Sequence, residues 1–167
     1  YDDIQGKITV KPNFSNTFTF LTVNGGSLYN RAKKDAQSEN LSDYGKRKAN
    51  QKTLGVNYQR IWNKNAFSNS SISYTSQFID AFFKNIFSDN MSYLANNNSN
   101  YIQFRQINQL YLNKAASTEF GFEAIRKDTK YNFSINSLDI DQTVSLLNLS
   151  AFSTFKFSFS NQYLVSI

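Results

Sequence analysis

The stretch from Gln51 to Phe78, QKTLGVNYQRIWNKNAFSNSSISYTSQF, keeps a two-residue period on both sides of one short turn. On its first arm Leu54, Val56, Tyr58 and Trp62 alternate with polar or small residues. On its second arm Ile72, Tyr74 and Phe78 alternate with Ser71, Ser73 and Thr75. Successive side chains of a strand point to opposite faces, so each arm has one apolar and one polar face. Asn63-Lys64-Asn65-Ala66 supplies residues that tolerate turn geometry. Arms this long, with a polar face of Asn, Gln and Ser, suit a membrane barrel with lipid on one side and water on the other.

The composition agrees with that hairpin. Phe and Tyr number 16 and 10, beside 22 Asn and 21 Ser, with one Pro and neither Cys nor His. No run approaches the roughly 20 apolar residues a membrane-spanning helix needs, whereas alternating strands escape such a scan. Without Cys there is no disulfide framework. The net charge of +6 is uneven. Arg31, Lys33, Lys34, Lys46, Arg47, Lys48 and Lys52 outweigh Asp35, Glu39 and Asp43 in one region. A basic patch invites a nucleic-acid reading, but the acids and the Gly, Ser and Asn between the cations favour a solvated loop. Anionic lipid headgroups or an acidic ligand are the functional alternatives, and no nucleic-acid partner is expected.

Read in order, the pattern predicts strands over about 3–10, 17–29, 101–112, 118–126, 143–155 and 162–167, besides the two hairpin arms. Ile4, Gly6, Ile8 and Val10 share one face of the first. In the second, Phe18 and Phe20 are followed by Leu21 and Val23 in the opposite phase, which predicts a bulge or face change near Gly25-Gly26. Ile102, Phe104, Leu110 and Leu112 share a phase that Gln106 and Asn108 interrupt, leaving the apolar face of that strand unassigned. Connections alternate between tight (11–16, 63–66, 113–117, 156–161) and long (26–50, 83–100, 127–141). Tyr131, Phe133 and Ile135 alternate inside the last of these. Short turns on one side and long loops on the other are the asymmetry of outer-membrane barrels. Aromatics gather at the tight side: Phe14 and Phe18, Trp62 and Phe67, Tyr111 and Phe120, then Phe155, Phe157, Phe159 and Tyr163. Rings at the headgroup level form an interfacial girdle, while any single ring has core packing as its plainer role.

Chemistry is harder to find. The absence of His and Cys excludes Ser-His-Asp and Cys-His catalysis and the usual zinc sites within these residues. Glu119 and Glu123 lie on one strand face about 13 Å apart at about 3.3 Å per residue, too far for a glycosidase pair. Asp139 and Asp141, read as loop residues, suffice only to hydrate or loosely hold a cation. Gly25-Gly26 lacks the Lys of a phosphate loop. The chain is therefore expected to be neither an enzyme nor a cofactor protein.

Four stretches together, DIQGKITVKPNFSNTFTF, LGVNYQRIWNKNAFSNSSISYTSQF, LYLNKAASTEFGFEA and AFSTFKFSFSNQYLVSI, resemble the barrel domain of TonB-dependent outer-membrane receptors in the Asn-rich style of Bacteroidota-like bacteria. Each looks like a descending strand, a periplasmic turn and an ascending strand of that family. The resemblance implies an all-β, antiparallel, up-and-down transmembrane β-barrel segment of about seven strands plus a truncated eighth. It would be part of a barrel of about 22 strands with a plugged lumen. Residues 1–167 would then be a partial barrel domain, without plug, signal peptide or barrel C-terminus. It would contribute to uptake of a scarce solute such as a metal chelate, vitamin or oligosaccharide. The expected partners are outer-membrane lipid, the small-molecule ligand, and an inner-membrane energy-transducing partner acting through the plug region. Candidate ligand contacts from the loops are Arg31, Tyr44, Lys46, Arg47 and Tyr93. Two other readings stay open: a complete small eight-stranded barrel with a structural or adhesive role, and a soluble all-β binding module.

Overall fold

A computed structural model of the chain describes residues 2–135, 138–159 and 163–166. The elements are β1 (Asp2–Asn13), β2 (Asn16–Arg31), α1 (Lys33–Ser38), β3 (Asp43–Asn63), β4 (Ala66–Asn85), β5 (Met91–Tyr111), β6 (Ala116–Ile135), β7 (Leu138–Phe159) and β8 (Tyr163–Ser166). All strands join one antiparallel sheet in sequence order, β1 to β8, each paired with its neighbours in the chain. The expected all-β up-and-down architecture is present as seven long strands and a short eighth. The sheet is open, since β1 and β8 are not paired with each other.

Asparagine makes the tight turns. The side-chain oxygen of Asn13 accepts from the Ser15 amide at 3.0 Å, that of Asn63 from the Asn65 amide at 2.8 Å, and that of Asn113 from the Ala115 amide at 2.8 Å. Each is an Asx turn, in which the side chain substitutes for a backbone acceptor two residues back.

The long connections are where expectation and structure part. The segments 30–50, 83–100 and 127–141 are mostly strand. β3 begins at Asp43 and β5 at Met91, and β6 and β7 are separated only by residues 136 and 137. Asn96-Asn97-Asn98 lies within β5, and Asp139 and Asp141 lie within β7 rather than in a loop. Of the expected long loops, only 32–42 remains extended in length, and it holds the six-residue helix α1. The expected last turn at 156–161 also shifts. β7 runs to Phe159, and residues 160–162 lie outside the described set. No bulge occurs near Gly25-Gly26, because β2 and β3 pair without interruption from Asn16 to Arg31. The register shifts in the described ladders fall at the tight turns, at Val10/Asn13 and Ile61/Asn63, and beside the β4–β5 turn at Phe83/Lys84.

One layer of sheet cannot bury a core. Among the described residues the buried apolar side chains are Ala36, Ala81, Ile86 and Ala95. The accessible surface is 11950 Å², against about 8,400 Å² for a compact monomer of this mass. The excess is the two open faces of the sheet.

Candidate functional site

Directly paired residues of adjacent strands share a face, so the register sorts every side chain. One row across the sheet is Ile8, Phe20, Val56, Ile72, Phe104, Ala124 and Leu149, apolar throughout. The adjoining row, on the opposite face, is Thr9, Thr19, Asn57, Ser71, Arg105, Glu123 and Ser150, polar throughout. Five of the seven apolar residues are exposed, Ile8 at 66% and Leu149 at 73%, and Phe104 and Ala124 are half-buried. In the polar row Thr9, Arg105 and Ser150 are exposed and the other four half-buried. A soluble sheet would cover its apolar row, and the two rows define a belt face and a counter face. Ile102, Phe104 and Leu110 of β5 share the belt face, which settles the phase left unassigned by sequence.

Farther from the tight turns the polarity reverses. The belt face there carries Leu28, Lys48, Asp80, Asn96, Asn132 and Asp141, and the counter face carries Tyr29, Arg47, Ala81, Ala95, Phe133 and Ile140. The strands that cross the boundary do this by changing the phase of their apolar residues, whereas β1 keeps Ile4, Ile8 and Val10 on the belt face throughout. On β2 the change falls at Phe20-Leu21, and on β7 at Leu146-Leu147.

In this far half the counter face holds a ladder of rings. Tyr29 and Phe83 have centroids 6.3 Å apart, Phe83 and Tyr93 6.1 Å, and Tyr93 and Phe133 5.2 Å in an edge-on pair. Tyr29 and Phe83 meet across β3 over Gly45, which pairs with both Arg31 and Phe83. Gly45 has φ +153°, and a Cβ there would lie 2.1 Å from the Phe82 carbonyl oxygen. The close approach of β4 therefore excludes a side chain. A cavity of about 490 Å³ opens beside the ladder, lined by Tyr29, Arg31, Leu41, Ser42, Asp43, Phe83, Ser92 and Tyr93. The Ser92 hydroxyl is shielded from solvent and has no hydrogen-bond partner among the described residues. Arg31 lies 5.2 Å from the Tyr29 ring centroid and 3.3 Å from the Glu39 carboxylate.

The rim of the sheet at its α1 end is tied down by one carboxylate, outside the lining of the cavity. Lys33 Nζ donates to both Asp89 oxygens at 2.7 Å, and the Tyr44 hydroxyl donates to Asp89 at 2.8 Å. These bonds join α1, β3 and the β4–β5 turn. The Lys33 hydrogen bond, followed by that from Tyr44, holds the Asp89 carboxyl below the usual carboxylate range. Donation to Asp89 raises the Tyr44 phenol above its ordinary value. The Ile86 amide donates to the Ser42 carbonyl at 2.9 Å, and its side chain is buried.

Of the five candidate ligand residues, Arg31 and Tyr93 meet in the cavity. Arg47 lies on the counter face, paired with Tyr29. Tyr44 is engaged at the rim by Asp89, and Lys46 lies in the belt-face row with Phe82. Tyr44, Lys46 and Arg47 belong to β3, not to a loop. Sequence reading passed over Tyr29, Leu41, Phe83 and Phe133. The alternation Tyr131-Phe133-Ile135 is the one visible signal among them: inside the expected 127–141 loop it points to extra strand, and β6 does run through it to Ile135.

Among the girdle candidates, Phe18, Trp62, Phe120, Phe155 and Phe157 lie on the belt face near the tight turns. Phe18 stacks on Tyr58 at 4.7 Å. The Arg60 guanidinium lies 3.8 Å from the Trp62 ring, whose indole N–H donates to Ser68 at 3.1 Å. Phe14 sits exposed in the β1–β2 turn. Phe67 and Tyr111 belong to counter-face rows, with Gln109 and with Ser117. Phe159 and Tyr163 lie outside the residues whose side chains are described. Among the described residues there is no group of three acidic, His or Cys side chains able to hold a metal ion. No protein-family model matches the chain, and no curated protein matches it significantly.

Proposed function

We propose that this sheet is a wall segment of an outer-membrane β-barrel that serves uptake of a small solute, without enzymatic chemistry of its own. The observation that carries the reading is the fully apolar, largely exposed row lying back to back with a fully polar one. A face with that much exposed apolar surface needs an apolar environment, and a counter face of Thr, Asn, Ser, Arg and Glu needs water.

The dimensions support it. On the belt face of β3 the run between Lys52 and Arg60 is Leu54, Val56 and Tyr58. The eight residue steps from Lys52 to Arg60 span about 26 Å along the strand. At a tilt of about 40° that is about 20 Å along the barrel axis, near the 25 Å height of an outer-membrane apolar band. Strands of 20 to 22 residues exceed the 9–11 a bilayer requires. Their far halves would stand clear of the membrane, where the belt face turns polar. The cavity beside the aromatic ladder would then lie on the lumen side, with Arg31 and Tyr93 among its ligand contacts. In lipid an open sheet edge is not tolerated, so β1 and β8 would each pair with a further strand.

The TonB-dependent receptor is the form of this proposal that the four motif stretches favour, with an inner-membrane partner supplying energy. The meander of eight strands favours a small closed barrel as the second reading. The mass of the native polypeptide in an outer-membrane extract tests both. A chain several times heavier than 19.2 kDa is expected. A mass near that value would leave the small barrel, and absence from the membrane fraction would overturn the membrane reading.

A further inference from the structure

The boundary between the two halves of the belt face carries a second site, and it rests on the membrane reading above. On β1 to β5 the last apolar row is Gly6, Thr22, Leu54, Tyr74 and Ile102, and the next row on that face is Ile4, Asn24, Lys52, Ser76 and Asn100. The Tyr74 ring belongs to the belt, and its hydroxyl donates to Asn100 in the polar row at 2.9 Å. That is how a ring behaves at an apolar–polar boundary.

Just below the boundary the belt is hollowed. A groove of about 520 Å³ is lined by Ile8, Phe20, Leu54, Val56, Tyr74 and Ile102 among others, with Gly6 at its edge. A Cβ at Gly6 would already meet Thr22 Cγ2 at 3.0 Å, so the depression depends on glycine. Lys52 is the next residue beyond Leu54 on the same face, and Lys48 follows two positions further along it. Both lysines are exposed, and neither forms an ion pair among the described residues. Four residues of strand separate them, about 13 Å, a gap that two lysine side chains close from either end. Asn24 and Ser76 flank Lys52 in the ladder. The nearest carboxylates on this face are Asp80, paired with Lys48, and Asp2, paired with Gly26.

We propose that this place binds an anionic membrane lipid, with an acyl chain along the groove and the headgroup phosphate between Lys52 and Lys48. The occupant follows from the order of the features. An apolar trough ends in unpaired cations on one face of one strand, in the sequence tail then phosphate that a lipid presents. A soluble anion would have no use for the trough, and a neutral lipid none for the lysines.

The test uses the protein in its native length, purified in dodecyl maltoside and incubated with an equimolar mixture of phosphatidylglycerol and phosphatidylcholine. After gel filtration the retained lipids are counted by mass spectrometry. Phosphatidylglycerol is expected to be retained about fivefold over phosphatidylcholine for each lysine engaged. K48Q/K52Q should fall to parity, whereas R47Q/R105Q, which removes cations of the counter face, should keep the preference. If K48Q/K52Q does not fold, K48R/K52R replaces it and should retain phosphatidylglycerol, since charge is preserved. Parity in the unaltered protein, or a preference that survives K48Q/K52Q or is lost in K48R/K52R, overturns the inference. Displacement of the lipid by excess inorganic phosphate overturns it too, by assigning the lysines to a soluble anion. Retention of neither lipid, by a protein that stays monomeric in buffer without detergent, overturns the membrane reading instead.

Discussion

The half of the sheet near the Asn13, Asn63 and Asn113 turns and the half near α1 share the six strands β2 to β7, which run from one half into the other, yet their faces are chemically opposite. Near the turns the belt face is apolar and the counter face polar. Near α1 the rings of Tyr29, Phe83, Tyr93 and Phe133 occupy the counter face, while Lys48, Asp80, Asn96 and Asn132 occupy the belt face. Backbone hydrogen bonding is indifferent to this exchange, because a ladder pairs the same way whichever side chains it carries. On the membrane reading proposed above, the exchange would report surroundings: the medium against the belt face would change from apolar to aqueous partway along β2 to β7. The counter face, polar beside the belt, acquires its own apolar cluster beyond it.

The comparison breaks most decisively at Ile72. Ile72→Arg places a cation in the middle of the exposed apolar row. It is expected to destabilise the protein by about 2–4 kcal/mol in lipid vesicles. Asn96→Arg lies on the same face but beyond the boundary, and should change stability by no more than about 0.5 kcal/mol. Urea unfolding from vesicles, followed by tryptophan emission, measures both. Equal effects at the two positions would mean that the medium does not change along the strand. Gly45→Ala is the next largest. The added methyl collides with the Phe82 carbonyl, an atom that moves only with the β3–β4 ladder, so a loss of about 1–3 kcal/mol is expected. It should be confined to the α1 half, with amide exchange accelerating at β4 residues near Phe83 and not near Ile72.

The same contrast explains what could be read from the sequence. The hairpin 51–78 was legible because Leu54 to Trp62 and Ile72 to Tyr74 keep one phase through the belt. Residues 43–50 and 91–100 read as loop in the sequence although they are strand. Their Asn, Lys and Ser match no alternation when both faces are polar or when the phase has just switched. Leu21 and Val23 showed the switch openly, but a phase change in sequence looks the same whether the backbone bulges or the surroundings change. Only the register, with Phe20 opposite Val56 and Leu21 opposite Gly55, separates the two. The cavity was half legible. Arg31 and Tyr93 stand out as a cation and a ring in polar stretches, whereas their convergence with Tyr29 and Phe83 requires pairing across three strand boundaries. The Asp89 clasp had no signal, since Lys33 and Tyr44 lie 56 and 45 residues away from it.

A smaller effect sharpens the picture of the far half. Phe133 ends the ring ladder through its edge-on contact with Tyr93. Phe133→Leu keeps apolar bulk but removes the ring, and a loss of about 0.5–1.5 kcal/mol is expected. Phe104→Leu, in the belt where the ring and that of Phe122 have centroids 5.4 Å apart, should cost less than Phe133→Leu in lipid vesicles, because acyl chains take up the space the ring leaves. Urea unfolding from vesicles compares the two, and equal losses would mean that lipid does not face the belt ring.

The smallest expected effect is one of pH, and it too divides the halves. Asp89 has its carboxyl lowered by the hydrogen bonds from Lys33 and Tyr44, so the ionised form is the one the folded rim prefers. Its contribution is fully present above the ordinary carboxylate pKa of about 3.9. It disappears as pH falls through the lowered folded value. Tyr44 is raised, so its contribution is present below the ordinary phenol value of about 10 and disappears as pH climbs through the raised one. Between those limits the clasp is insensitive to pH. The protection of the Ile86 and Asp89 amides, whose N–H groups donate to Ser42 and Asn85, taken as intrinsic over observed exchange rate at each pH, should therefore be level through neutrality and fall in acid. Asp89→Asn should remove the acid step, while protection near Ile72 should show no step in either protein. An acid step of equal size at Ile72 would mean that the two halves open together, and that the clasp does not act locally at the α1 end of the sheet.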